Sequence, residues 1–385
     1  MMSEHGKDPA GEKAQSKASR LFAVDSLRGL IIVFMALDHA NLFVGQNHAA
    51  SEIWDGAYPV YYDALAFLTR LVTHLAAPGF FFLMGAGMLL FAQSRQARGW
   101  SRWAVIRHFL VRGALLIALQ LLIVNRAWEL SPTGWELDMY IGVLFALGGT
   151  MILGSLLLWL QPIYLWALTL ILFVGIEFLH PGLGMWNAIQ HDPANVILLR
   201  PGGDAALWSN YPILPWLELV TFGLAFGHWL RADAKRAYSR AWKLGVAFLL
   251  AFVVVRSLDG FGNVRPRMSN SWIDFLNPVK YPPSMAFTLM TMGANLILLS
   301  ALSRAREGAQ RLLQPLAVFG RAPLFFYLLH LFLYAGLGYL LAPSGTSIPA
   351  VYPMWLLGLL VLFPICLWYG GFKHRQSPGS VLRFL

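Results

Sequence analysis

Residues 24–39 read VDSLRGLIIVFMALDH, a stretch apolar enough to cross a bilayer that carries Asp25 and Arg28 at one end and Asp38 and His39 at the other. Ionisable groups in lipid are costly; they mark substrate or ion pathways, proton relays or internal pairs. Asp25 and Arg28 are three residues apart and share a helix face. They read either as a helix-start acid with a positive anchor or as a functional pair. His39 stands 14 residues beyond Asp25, about 21 Å deeper at the helical rise of 1.5 Å per residue. An imidazole titrates near neutrality, which suits a proton acceptor; the alternative for Asp38-His39 is an interfacial cap. His74, four residues before Pro78, and His330, nine past Arg321, also fall inside apolar runs. Each reads as a site residue or as a buried hydrogen-bonding histidine. His39, His74, His330 and Asp38 would make a plausible ligand set if they converged, but nothing in their spacing demands it and no metal is expected. Arg70, Glu177 and Glu218 read as charges that satisfy one another inside the membrane.

The elements that must position these groups are long apolar helices. With 57% hydrophobic and 12% charged residues over 385 positions, the chain cannot fold around one soluble core with a wettable surface. The expected class is all-α: a polytopic integral membrane helical bundle of ten or eleven transmembrane helices. Windows of about 20 residues, the length of a spanning helix, select 22–44, 64–93, 106–126, 138–160, 163–180, 211–230, 243–257, 283–303, 317–342 and 353–372. The formal charge of +10 does not point to nucleic acid, because the basic residues punctuate the apolar runs. With the N-terminus cytoplasmic, nineteen Lys and Arg fall on the cytoplasmic side and only Arg200, Arg265, Arg267 and Lys280 on the other, so both ends are expected inside.

Residues 1–20 are polar, lack aromatics and read as a disordered cytoplasmic tail, followed by a single transmembrane domain over 21–385. No cleavable signal is expected, because the first apolar run has no small-residue cleavage site and holds charges. Cys366 stands alone, which excludes an intrachain disulfide framework and a cysteine-rich zinc site. On the far side, connections 45–63, 127–137, 181–210 and 258–282 are rich in Trp, Tyr, Asn and Pro, residues that serve sugar stacking as well as interfacial anchoring.

DSLRGLIIVFMALDH resembles the first helix of the transmembrane acyltransferase superfamily, which begins Asp-x-x-Arg-Gly before an apolar run. The nearer resemblance is to the branch containing the lysosomal heparan-alpha-glucosaminide N-acetyltransferase and its bacterial relatives. It is carried also by FLTRLVTHLAAPGFFFLMGAG (67–87), YPILPWLELVTFGLAFG (211–227), NPVKYPPSMAFTLMTMG (277–293) and GRAPLFFYLLH (320–330). The resemblance implies transfer of an acetyl group from cytosolic acetyl-CoA, through the membrane, to an amine or hydroxyl of an amino sugar or envelope glycan on the other side. It also implies a bacterial cytoplasmic membrane as the location. Asp25, Arg28 and Arg321, with both arginines expected at helix starts, would then hold the donor, the guanidiniums binding its phosphates.

Acyl transfer from a thioester needs a base for the acceptor proton and donors for the oxyanion. Bacterial polysaccharide acyltransferases place their essential histidine at the spacing of His39, so His39 is the expected base, oriented by Asp38 or another nearby carboxylate; a covalent acetyl-imidazole is the mechanistic alternative. The lysosomal branch has Asn at that position and its histidine in the next loop, where His48 stands. His74 and His330 are further catalytic candidates, and Lys280 and Tyr281, before Pro282-Pro283, are candidates for acceptor contact alongside His48. Two other classes fit the same intramembrane charges. A small-solute transporter would commonly show paired repeats, which this sequence lacks, and a non-catalytic subunit would tolerate replacement of these residues one by one. A homo-oligomer is left open.

Overall fold

The computed structural model describes residues 9–47, 59–61, 63–130, 137–179 and 192–376, the side chains of 9–21 and 374 excepted. Sixteen helices follow one another among these residues. The first half contains α1 (Pro9–Ala40), α2 (Ala64–Thr73), α3 (Ala76–Gln96), α4 (Arg102–Leu119), α5 (Asn125–Glu129), α6 (Val143–Leu157), α7 (Pro162–Leu179) and α8 (Pro193–Leu198). The second contains α9 (Ile213–Ala232), α10 (Ala234–Leu258), α11 (Trp272–Phe275), α12 (Met285–Ser303), α13 (Glu307–Leu312), α14 (Gln314–Arg321), α15 (Pro323–Leu341) and α16 (Ile348–Arg375). Two-residue strands β1 (Tyr140–Ile141), β2 (Gly202–Gly203) and β3 (Trp208–Ser209) form a small sheet in the order β1-β3-β2, with β1 parallel and β2 antiparallel to β3.

Among the described residues nine helical segments are long and apolar enough to span a membrane, and Val143–Leu157 is a shorter tenth. The protein is a helical polytopic membrane bundle. The differences from the sequence reading are local. The tail expected over 1–20 is helical from Pro9 onward, in a stretch rich in the helix formers Ala, Lys and Gln behind a proline that suits a first turn. Span 138–160 shortens, because Tyr140 and Ile141 pair with Trp208 and Ser209 and postpone the helix to Val143. Span 64–93 breaks at His74–Leu75, between α2 and α3. Span 317–342 breaks at Ala322, where Pro323 cannot continue the hydrogen-bond ladder, so Arg321 ends α14 rather than starting a spanning helix. Arg28 likewise lies inside α1 and not at its start.

The centre of the bundle is α9, buried on nearly every face, with Trp216, Val220, Leu224 and Phe226 fully or almost fully enclosed. It crosses α3 at glycines: a Cβ on Gly85 would stand 2.2 Å from the Val220 carbonyl oxygen, and one on Gly223 2.1 Å from that of Phe82. Small residues at such crossings let backbones approach where hydrophobicity gives no preference between helix and lipid. The outer helices α7, α10 and α16 expose Ile163, Leu170, Phe178, Leu250, Leu360 and Trp368, the surface expected of a protein whose solvent is hydrocarbon. Interior hydroxyls fold back onto their own helices: Thr150 donates to Ala146 O at 2.7 Å and Thr291 to Phe287 O at 2.7 Å.

Candidate functional site

Two clusters of polar residues lie along α1. The first is built on a backbone crossing. Gly29 and Gly320 are so close to the opposite chain that a Cβ on either would stand 1.8 Å from Leu316 O or 1.9 Å from Asp25 O. The absence of both side chains therefore draws α14 onto α1. Arg28 then reaches across to donate to Gly320 O at 3.0 Å and pairs with Asp25 at 3.1 Å, while Arg321 stands 3.6 Å from the other oxygen of Asp25. One carboxylate holds two guanidiniums. The Asp-x-x-Arg-Gly and Gly-Arg sequence elements are thus two sides of one structural device.

The two arginines also line a cavity of about 310 Å³. Arg112 of α4 and Lys373 of α16 bring the number of cations in its wall to four, and the remainder includes Phe80, Met84, Phe91, Leu116, Met151 and Tyr327. The cavity is therefore basic in one part and apolar in the rest, which suits a ligand with anionic and apolar portions. Arg112 and Lys373 were not among the candidates from sequence. Arg112 carried the same signal as Arg28, a lone charge in an apolar run; Lys373 carried none, since a lysine ending a span reads as an anchor.

The second cluster lies 11 residues further along α1, about 16 Å at the helical rise. Past Ala40 the chain widens into a π-turn over Asn41–Gly45, a deviation frequent at functional sites. This turn lies against α15, where Gly338 allows the Phe43 carbonyl oxygen to within 2.2 Å of its notional Cβ. Two helical turns before Gly338, His330 meets His39: Nδ1 of His39 and Nε2 of His330 are 2.6 Å apart, with ring centroids at 4.8 Å. His330 is fully buried and His39 is 8% exposed. Nδ1 of His330 lies 3.0 Å from Phe326 O. A carbonyl only accepts, so that nitrogen carries the hydrogen. With both rings neutral, Nε2 of His330 is then an acceptor, Nδ1 of His39 the donor, and Nε2 of His39 the basic nitrogen. The edges of Trp128 and Tyr327 close around His39 at centroid distances of 5.4 and 6.3 Å.

Asp38 points elsewhere. Its carboxylate pairs with Arg70 of α2 and lies 3.0 Å from the Thr73 hydroxyl. Adjacent residues on a helix face different directions, so the group placed against His39 is the His330 imidazole, and Asp38 joins α1 to α2. His74, next after Thr73, is buried in the α2–α3 turn with its ring edge-on to Phe287 at 5.4 Å. Of the residues weighed as a metal set, the structure brings His39 and His330 together, while Asp38 and His74 face these other partners. No group of three or more His, Cys, Asp or Glu able to hold a metal occurs among the described residues. Lys280 and Tyr281 are buried before α12, with Lys280 Nζ 4.8 Å from the Tyr281 ring. The Tyr281 hydroxyl donates to that of Tyr211 at 3.0 Å. Tyr211 in turn is within electrostatic reach of Tyr140 and Tyr327. Tyr281 and Tyr211 thus form one hydrogen-bonded pair beside Lys280. Burial pushes the Tyr140 hydroxyl well above its ordinary range, so it stays neutral. Arg70, Glu177 and Glu218 do not pair with one another in the way expected: Arg70 takes Asp38, Glu177 accepts from Met285 N at 2.5 Å, and Glu218 accepts from the Thr288 hydroxyl at 3.0 Å. His48 lies outside the described residues.

The family model described as "Heparan-alpha-glucosaminide N-acetyltransferase, catalytic" matches residues 20–259. Two curated relatives, both named heparan-alpha-glucosaminide N-acetyltransferase, are similar to this chain. The mouse protein is 32% identical over 139 residues, 36% of this chain and 19% of its own length. The human protein is 30% identical over 142 residues, 37% of this chain and 19% of its own length. The matched region thus spans about a fifth of each relative. Arg321 and His330 lie beyond the part the family model matches, and the structure returns both to α1, onto the residues that open the match. The chain belongs to the heparan-alpha-glucosaminide N-acetyltransferase catalytic-domain family.

Proposed function

We propose that the protein is a membrane-embedded acetyltransferase that moves the acetyl group of acetyl-CoA to an amine or hydroxyl of a glycan-type acceptor across the bilayer. The observation that carries this reading is the cavity: four cations share its wall with apolar groups and with Tyr327, whose ring also contacts both His39 and His330. Arg28, Arg321, Arg112 and Lys373 would bind the diphosphate and 3′-phosphate of the donor through charge-assisted hydrogen bonds. The pantetheine arm would lie along the Met- and Phe-lined part, delivering the thioester to the histidines.

In this reading His39 is the general base. Its Nε2 removes the acceptor proton as the nucleophile attacks the thioester carbonyl, and the same proton passes to the sulfur as CoA leaves. His330 holds the His39 ring in the tautomer that keeps Nε2 basic and delocalises the charge formed on protonation. Asp25 and the two arginines mark the cytosolic end, in keeping with the excess of Lys and Arg on that side. His39, Trp128, Lys280 and Tyr281 would then serve the acceptor side. The relatives' name specifies a glucosaminide amine, which makes a terminal amino sugar the first acceptor to try. A single domain over 21–385 in a bacterial cytoplasmic membrane completes the proposal, with no metal required.

Calorimetry of acetyl-CoA on purified, detergent-solubilised protein tests it. Binding that survives His39→Ala and weakens in Arg321→Ala is expected. A folded wild type that does not bind acetyl-CoA overturns the reading.

A further inference from the structure

Three side chains besides His39 pack around His330, and two of them are tyrosines of α15. Tyr334 meets the His330 ring at 6.2 Å, but its hydroxyl is committed to Trp355 O at 2.9 Å, across to α16. Tyr327 is different. Its ring lies 5.4 Å from that of His330 and 6.3 Å from that of His39, edge-on to both. It is 5% exposed and forms part of the cavity wall beside Pro323 and Leu324. Among the described residues its hydroxyl makes no hydrogen bond. The ring is enclosed while the side chain borders the cavity, so a ligand held there can supply the partner the protein does not.

We propose that Tyr327 is a catalytic residue whose hydroxyl donates a hydrogen bond to the carbonyl oxygen of the bound thioester, stabilising the oxyanion of the tetrahedral intermediate. This rests on the acetyl-transfer reading above. Tyr327 borders the cavity that would hold the donor and touches the ring that would deprotonate the acceptor. The thioester carbonyl would lie between the Tyr327 hydroxyl and the His39 ring; the centroids of the two rings are 6.3 Å apart. The step balances as follows. The acceptor nitrogen or oxygen bonds to the carbonyl carbon while its proton goes to His39 Nε2, and the C=O electron pair moves onto the oxygen facing Tyr327. On collapse the pair returns, the C–S bond breaks, and the thiolate takes the proton from His39, giving the acetylated acceptor and free CoA thiol. Tyr327 keeps its own proton throughout. A donor already aimed at the position where charge develops needs no reorganisation during reaction, which is why such groups are worth about 10²–10³ in rate.

The test uses the 385-residue chain, acetyl-CoA and D-glucosamine as the probe acceptor, following release of CoA thiol. Tyr327→Phe keeps the ring, its packing on both histidines and the cavity wall. The expected result is a 10²–10³-fold loss of kcat with the acetyl-CoA dissociation constant changed less than threefold. A kcat within twofold of wild type overturns the role of Tyr327 and leaves the acetyl-transfer reading standing. A wild type that neither binds acetyl-CoA nor releases thiol overturns both. A second measurement needs no variant: the infrared carbonyl band of 1-¹³C-acetyl-CoA bound to wild type should move to lower wavenumber than in water-free solvent. A band that does not move also overturns the proposal.

Discussion

Nδ1 of His39 and Nε2 of His330 face each other at 2.6 Å across the contact of α1 with α15, 291 residues apart in sequence. Because the second nitrogen of His330 is tied to the Phe326 carbonyl, the direction of the hydrogen bond is set from the α15 side. His39 is thereby left with its basic nitrogen at the far edge of the ring.

Replacement of His39 by Gln should abolish acetyl transfer, a loss on the order of 10²–10⁴ for a general base, while acetyl-CoA still binds. His330→Gln should cost less, about 10–100-fold, the scale for removing a group that orients a reacting histidine. Thiol-release assays beside calorimetry separate the two. Equal losses at both positions would show that the pair acts as one unit.

Charge at the other end of α1 should govern affinity and not turnover. Loss of a charge-assisted hydrogen bond costs about 1.5–3 kcal/mol, so Arg28→Ala, Arg112→Ala or Arg321→Ala should each raise the acetyl-CoA dissociation constant roughly 10- to 150-fold, at 1.4 kcal/mol per decade. Titrations at saturating acceptor give the constants. An Arg112→Ala protein that binds as wild type would remove this residue from the donor site.

Gly29→Ala and Gly320→Ala place a methyl within 2 Å of a backbone carbonyl oxygen on the facing helix. A main chain cannot swing aside as a side chain does, so α14 must move away from α1. Overpacking of this kind costs about 1–3 kcal/mol or more. Both variants should melt at lower temperature in detergent and bind acetyl-CoA weakly, even though neither glycine touches the cavity. Gly175 of α7, whose Cβ would meet nothing within 4 Å and which lies outside the cavity wall, should accept Ala without either effect.

The Asp38–Arg70 pair, with Arg70 3% exposed, should behave as a buried ion pair. Arg70→Ala takes a guanidinium away from the partly buried Asp38 carboxylate, and a loss of up to about 3–5 kcal/mol is expected, the scale for breaking a buried pair. Combining it with Asp38→Asn should recover much of that loss, measured as thermal denaturation of single and double variants. Full acetyl-transfer activity in Asp38→Asn at permissive temperature would agree with an Asp38 that joins helices and does not orient His39.

The sequence by itself determined the class of the molecule and the order of its helices. Runs of 20 apolar residues have few stable alternatives to a spanning helix, because unpaired backbone groups in hydrocarbon are too costly. The same rule made Asp25, Arg28, His39 and His330 stand out, since each interrupts such a run. What lay beyond it was everything that depends on two distant segments meeting. Asp38 or another nearby carboxylate was the expected partner of His39, since neighbours on a helix do not face each other; Asp38 pairs with Arg70, and the ring stacked against His39 comes from α15. Arg112, Lys373 and Tyr327 acquire meaning only from the cavity they share, for each alone is an ordinary residue of an apolar helix or its end. The break at Ala322 was written in Pro323, but that it lays Arg321 beside Asp25 follows from Gly29 and Gly320 meeting, a backbone contact decided by packing in three dimensions. Local rules fix helices and their charges, and close approach between helices decides which charges form a site.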